Sequence, residues 1–287
     1  MSNKICFISV PISYGGNVEG SEMGPISISN LNPISLLKTA SFLNIDCKNK
    51  NSLKKEDFIE SVCLKLKTRT LETLRNGKFP FVLGGDHSIA AGSLSAVSSY
   101  YFKKNKKRPG LIWFDAHADL NTHLTSPSGN MHGMPLASLI GEDVKYLSSV
   151  VDSGVFNPEK IVFLGLRDLD PGEKNLLKKK NIKHFSVERT RNEGIENVAK
   201  KVSSIIGADY CLSFDVDSID PSFAPGVGTP VGDGFNPDEA IFLLDSIFKN
   251  GNLISLDFVE YNPLRDIDDK TKECVEKFLS FLISKIS

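Results

Sequence analysis

The chain reads as alternating blocks, in which short, almost wholly apolar runs are separated by longer stretches with apolar residues at helical spacing. The runs at 5–10, 79–83, 111–114, 161–166, 210–214 and 253–258 are rich in β-branched and aromatic side chains. A strand apolar on both sides must be covered on both sides, as in the interior of a parallel sheet. Helical spacing recurs at 58–74, 89–101, 198–206, 240–248 and 275–286. The clearest boundary is Asn236-Pro237-Asp238-Glu239. Asn can cap a helix there, Pro suits its first position, and Glu reaches back from the third. No repeat or linker divides the chain, so residues 1–287 are expected to form one α/β domain with a mostly parallel sheet covered on both faces. In such sheets functional groups gather beyond the carboxyl ends of the strands.

Composition narrows the function classes. At 287 residues, with 40% hydrophobic and 24% charged residues and a formal net charge of -1, the chain has a globular make-up, and bulk charge implies no nucleic-acid or membrane partner. Cys6, Cys47, Cys63, Cys211 and Cys274 are odd in number and scattered, which suits reduced thiols and a cytoplasmic setting. The opening segment reads as a strand and not a leader, because Ser9 and Pro11 interrupt its apolar run. The basic run Lys103, Lys104, Lys106, Lys107 and Arg108 is read as a solvated loop. His123 and His184 lack partners at ligand spacing and are set aside.

Three polar clusters follow predicted strands. Gly84-Gly85-Asp86-His87-Ser88 places His87 after a tight glycine turn. In Asp115-Ala116-His117-Ala118-Asp119, strand alternation would put Asp115, His117 and Asp119 on one side. Asp215 and Asp217, with Asp220 nearby, form the third cluster and again share a face by alternation. Ionisable groups converging in this way repel and desolvate one another unless a cation compensates. Four carboxylates and two imidazoles without thiolate favour Mn2+ over Zn2+ or copper, and six side chains suffice for two ions when carboxylates bridge. Two such ions can share a water and lower its pKa towards about 7.

With those residues in view, the chain resembles the ureohydrolases, and among them the arginases. The matching segments are GGDHS (84–88), DAHADLNT (115–122), SPSGNMHGMPLA (126–137), GLRDLDPGE (165–173), SFDVDSIDPSFAPGVGTP (213–230) and SLDFVEYNP (255–263). They run in the family's order from residue 84 to 263, whereas the first eighty residues offer only a G-x3-GP element at 20–25. The resemblance implies a three-layer α/β/α fold around a central eight-stranded sheet, with a two-manganese cluster on His87, Asp115, His117, Asp119, Asp215 and Asp217. It implies hydrolysis of L-arginine to L-ornithine and urea by a metal-bridging hydroxide.

By the same resemblance Asp119 also orients that hydroxide, His132 is a proton shuttle, and Glu260 pairs with the substrate guanidinium. Thr229 matches a position near the leaving nitrogen. Asn121, Ser128 and Asn130 match contacts to the substrate α-carboxylate, and Asp170 and Glu173 match positions on its α-amine side. A homo-oligomer is expected. GTPV at 228–231 is arginase-like, while Gly226-Val227 is closer to an agmatinase pattern and Asp233-Gly234-Phe235 replaces the usual GGL. The rival readings are an amidinohydrolase acting on agmatine, guanidinobutyrate or formimino-glutamate, a non-catalytic scaffold, and a dinucleotide-binding oxidoreductase. No ligand is missing, which argues against the scaffold; no GxGxxG is present, which argues against the oxidoreductase.

Overall fold

The computed structural model describes residues 5–35, 37, 40–47, 53–151 and 156–286. Residues 1–4, part of the opening segment, lie outside the described residues. Eight strands, all paired in parallel, form one sheet in the order β2-β1-β3-β8-β7-β4-β5-β6. They are β1 (Ile5–Val10), β2 (Ser41–Asn44), β3 (Phe79–Gly84), β4 (Gly110–Phe114), β5 (Ile161–Leu164), β6 (Lys183–Phe185), β7 (Asp209–Asp215) and β8 (Asn252–Val259).

Alternate residues of the central strands feed two separate cores, which is why these runs are apolar throughout. Ile8, Val82, Leu111, Trp113 and Phe163 face the helices Lys55–Arg75 and Ala90–Asn105. Phe7, Phe81, Ile112, Phe214 and Phe258 face Ile195–Ile206, Pro237–Phe248 and Lys270–Ile286. Helices on both faces make the three layers. The Asn236 cap forms as expected: its Oδ1 accepts Glu239 N at 2.8 Å, and Glu239 Oε2 accepts Asn236 N at 3.2 Å. All five cysteines are free thiols, with Cys47 part-buried and the others buried. Among the described residues no helix is long and apolar enough to cross a membrane.

Two local expectations change. The basic run is not all loop, because the helix Ala90–Asn105 carries Lys103 and Lys104 in its last turn and ends on Lys106 in the left-handed region. Cations there complement the helix's negative end. The edge strands β2 and β6 were absent from the apolar pattern: SFLN and KHF are short, and their burial alternates or is largely lost.

Candidate metal centre

β3, β8, β7 and β4 are adjacent in the sheet, and their carboxyl ends deliver His87, Glu260, Asp215 and Asp115 to one edge. The turn after β3 is tight: Gly85 N donates to Val10 O and Asp86 N to Ile12 O, and a Cβ on Gly85 would meet Ile12 O at 1.8 Å. Only glycine permits that approach. Asp86 then caps the turn His87–Ile89 by accepting Ser88 N at 3.0 Å, and takes Gly15 N at 2.7 Å on its other oxygen.

The candidate ligands do converge, but strand alternation is not the cause. β4 stops at Phe114, Asp115 Oδ1 turns back to accept His117 N at 2.7 Å, and Asp119 has φ 50°. Asp217 likewise sits in a turn, Val216–Ser218, capped by Asp215 Oδ1, which accepts Asp217 N at 2.8 Å. Short polar side chains satisfy the backbone at the strand ends and so bend the chain inward.

His87 Nδ1 lies 3.1 Å from Asp115 Oδ2, 3.1 Å from Asp119 Oδ2 and 3.1 Å from Asp215 Oδ2. His117 Nδ1 lies 3.0 Å from Asp217 Oδ2 and 3.5 Å from Asp115 Oδ1. Two groups therefore share Asp115: His87–Asp115–Asp119 and Asp115–His117–Asp217. Burial pushes the Asp119, Asp215 and Asp217 carboxyls up, and neighbouring carboxylates add to it. Burial also opposes charge on His87, yet Asp115 and Asp119 outweigh it and push the imidazole up to about 9. Asp115 goes the other way, since contacts to His117 and His87 overcome its burial.

A divalent cation fits this arrangement. Asp119 Oδ2 is buried and makes no hydrogen bond, with only the His87 ring 3.1 Å away, an expensive state for a carboxylate that a divalent cation would relieve. The donors are hard oxygens and imidazole nitrogens, presented in two groups of three. His87 is prepared as a ligand from behind, because its Nε2 meets Ser213 Oγ at 2.8 Å and leaves Nδ1 towards the carboxylates.

A cleft of about 270 Å³ opens over the cluster. It is lined by every candidate ligand and substrate contact named from sequence except Asp115, which is fully buried. His132, in the turn Met131–Gly133, directs Nδ1 to Glu260 Oε1 at 3.1 Å, and the same oxygen accepts His87 N at 2.8 Å. Thr229 Oγ1 donates to Asp217 Oδ2 at 3.1 Å. Exposed Ser128 and half-buried Asn130 stand at the cleft's edge, where Ser128 Oγ accepts Asn130 N at 3.2 Å. Asn121 and Glu173 are already engaged within the protein. Asn121 Nδ2 donates to Asp170 Oδ2 at 2.7 Å, while Glu173 accepts Leu120 N at 3.0 Å and Asp170 N at 2.9 Å.

Several contributors escaped the sequence reading. Trp113 stacks on His87 with centroids 4.3 Å apart and donates Nε1 to Asp115 Oδ2 at 3.0 Å. Ser213 and Asp86 stood inside matched motifs and carried a signal; Trp113, in an apolar strand, read only as core. Gly15 and Gly16 pack against His132, and Lys55 Nζ holds Gly16 O at 2.9 Å, yet nothing local marks that loop.

A parallel sheet whose carboxyl edge carries two imidazoles and four carboxylates around a polar cleft is the frame of a metal-assisted hydrolase. The arginase family model matches residues 3–283, and the chain belongs to that family. It is 39% identical over 290 residues to a Staphylococcus aureus protein named arginase, covering 94% of this chain and 93% of that one. The crystal structure of arginase from Bacillus subtilis superposes with a TM-score of 0.89 at 35% identity, covering 97% and 98% of the two chains. Entamoeba histolytica arginase, solved in complex with L-ornithine, gives 0.90 at 33% identity, covering 98% of each.

Proposed function

We propose that this centre hydrolyses L-arginine to L-ornithine and urea with two Mn2+ ions held by His87, Asp115, His117, Asp119, Asp215 and Asp217. The observation that carries the reading is the pair of ligand triads sharing Asp115, on a cleft that also holds the Glu260–His132 pair. When bound, two such ions polarise water and lower its pKa, so that a nucleophile exists near neutral pH.

The protein's own groups supply position and proton transfer. Glu260 Oε1 is occupied by His87 N and His132 Nδ1, so Oε2 is the oxygen left for an N–H of the planar guanidinium. Gly228 keeps a side chain away from that oxygen, since a Cβ there would come within 3.5 Å of it. The Asp119 carboxylate, whose Oδ2 makes no hydrogen bond within the protein, accepts one from the attacking water and aims it at the guanidinium carbon. As the new C–O bond forms, the water gives a proton to the Asp119 carboxylate and the carbon becomes tetrahedral; its collapse breaks the bond to the substrate's chain nitrogen. His132 protonates that nitrogen through Nε2, and it departs as the ornithine amine. Thr229 lines this end of the cleft.

At the rim, Ser128 and Asn130 bind the α-carboxylate and Asp170 accepts the α-ammonium. Asn121 and Glu173 each bond Asp170, which supports reading them as holding it in place. Agmatine, having no carboxylate, leaves the rim donors to water. The whole chain is read as one ureohydrolase unit, homo-oligomeric and cytoplasmic. The test is urea release from arginine and from agmatine with added Mn2+, together with metal analysis. Preferred use of arginine and two ions per chain are expected; equal use of both substrates sinks the arginase reading, and one ion at saturation sinks the two-metal reading.

A further inference from the structure

Arg167, in the GLRDLDPGE segment, is neither a candidate ligand nor a substrate contact, yet its guanidinium is fully used. Nε donates to Gly232 O at 2.9 Å, Nη1 to Gly165 O at 3.0 Å and Ser218 O at 3.4 Å, and Nη2 to Asp217 O at 2.7 Å and Val231 O at 2.8 Å. Five N–H groups thus meet five neutral backbone carbonyls. Its backbone is tied as well, because Arg167 N and Asp168 N donate to Ala116 O at 2.9 and 3.0 Å. Ala116 N in turn donates to Asp217 Oδ1 at 3.2 Å. One residue therefore links the ends of β5, β4 and β7 to the loop that carries Thr229.

The Nη2 atom is the most informative. It bridges the carbonyl of Asp217 and that of Val231, two residues beyond Thr229, and the Asp217 and Thr229 side chains meet at 3.1 Å. The planar fork fixes the spacing between strand end and loop, and so the direction of the Asp217 carboxylate. A lysine ammonium, with three donors on one tetrahedral nitrogen, cannot span the same carbonyls. The other triad is held by different contacts: Ser213 and Trp113 orient His87, and Glu260 holds its backbone.

We propose that Arg167 is a positioning residue for one half of the metal centre, the Asp115–His117–Asp217 triad, and that its carbonyl-lined slot is selective for guanidinium. This rests on the two-ion reading above. The test is Mn2+ titration of the metal-stripped full chain as wild type, Arg167→Lys and Arg167→Ala, with melting of each metal-free chain as a folding control. One of the two ions should bind on the order of 10- to 100-fold more weakly in both variants, the other within a few-fold of wild type. Methylguanidinium should restore the second ion to Arg167→Ala, and methylammonium should not. Two ions at full affinity in Arg167→Lys refute the role of Arg167 alone. Equal weakening of both ions, or failure of both variants to fold, assigns Arg167 to the fold as a whole and overturns the selective role. A wild-type chain that takes up a single ion refutes the two-ion reading and this proposal with it.

Discussion

Asp257 offers a quantitative test of how the sheet accommodates charge beneath the cleft. It lies in β8 with no exposure, its Oδ2 accepts Ser93 Oγ at 2.6 Å, and its Oδ1 is buried with no hydrogen-bond partner. Burial pushes its carboxyl from 3.8 up to about 7, against smaller opposing effects of Ser93 and His87. The folded chain therefore keeps a proton that the unfolded chain releases, and stability falls as pH rises from about 4 to about 7. Raising the carboxyl from 3.8 to about 7 costs about 4 kcal/mol, fully expressed above pH 7 and absent below about pH 4. Asp257→Asn keeps the shape and removes the charge. Urea unfolding of both chains in EDTA, at intervals between about pH 4 and pH 8, isolates the effect, because chelation keeps divalent cations out of the comparison. The variant should match wild type at the acid end and gain up to about 4 kcal/mol over it by pH 8. A difference that stays constant with pH, or a variant less stable at pH 8, would refute the reasoning.

Two further outcomes follow from the cleft. His132→Asn should lower kcat on the order of 10²- to 10⁴-fold with metal content unchanged, since a general acid is removed and no ligand is lost; metal analysis beside steady-state urea release checks it, and lost metal would make His132 a ligand. Asn130→Ala should lower kcat/KM for arginine by about 10- to 100-fold and narrow the gap to agmatine, the loss expected when a bound carboxylate forfeits one donor worth about 1–3 kcal/mol; kinetics with both substrates checks it.

The six central strands were legible because burial on both faces leaves no room for alternation, so composition alone marks them. The edge strands were not, because Lys183 and His184 in β6 answer to solvent and leave no apolar trace. At the candidate metal centre, residue type and proximity to strand ends picked out side chains that the structure does bring together, while the expected alternation does not hold. Period-two alternation cannot hold through Asp115 and Asp215, whose carboxylates bind the backbone N–H two residues on and turn the chain. The groups that hold the candidate ligands were harder still. Arg167 works through carbonyls up to 65 residues away in sequence, and backbone carbonyls carry no residue-type signal.

Burial divides the residues that carry left-handed backbone. Seven described non-glycine residues have positive φ: Lys106, Asn181, Asp233, Asp268 and Asp269 are exposed, whereas Asp119 (φ 50°) and Glu260 (φ 67°) are buried. Each such conformation costs on the order of 1–3 kcal/mol and persists only where surrounding contacts overdetermine it. Asp119 is held by its carbonyl, which accepts Leu136 N at 3.1 Å and Ala137 N at 3.2 Å; Glu260 N is held by Gly85 O at 2.8 Å. Those bonds hold both side chains on the cleft, where the proposed reaction uses one to aim the attacking water and the other to bind the guanidinium. Glycine at either position would relax the backbone and delete the carboxylate, so stability and activity are set against each other at these two residues.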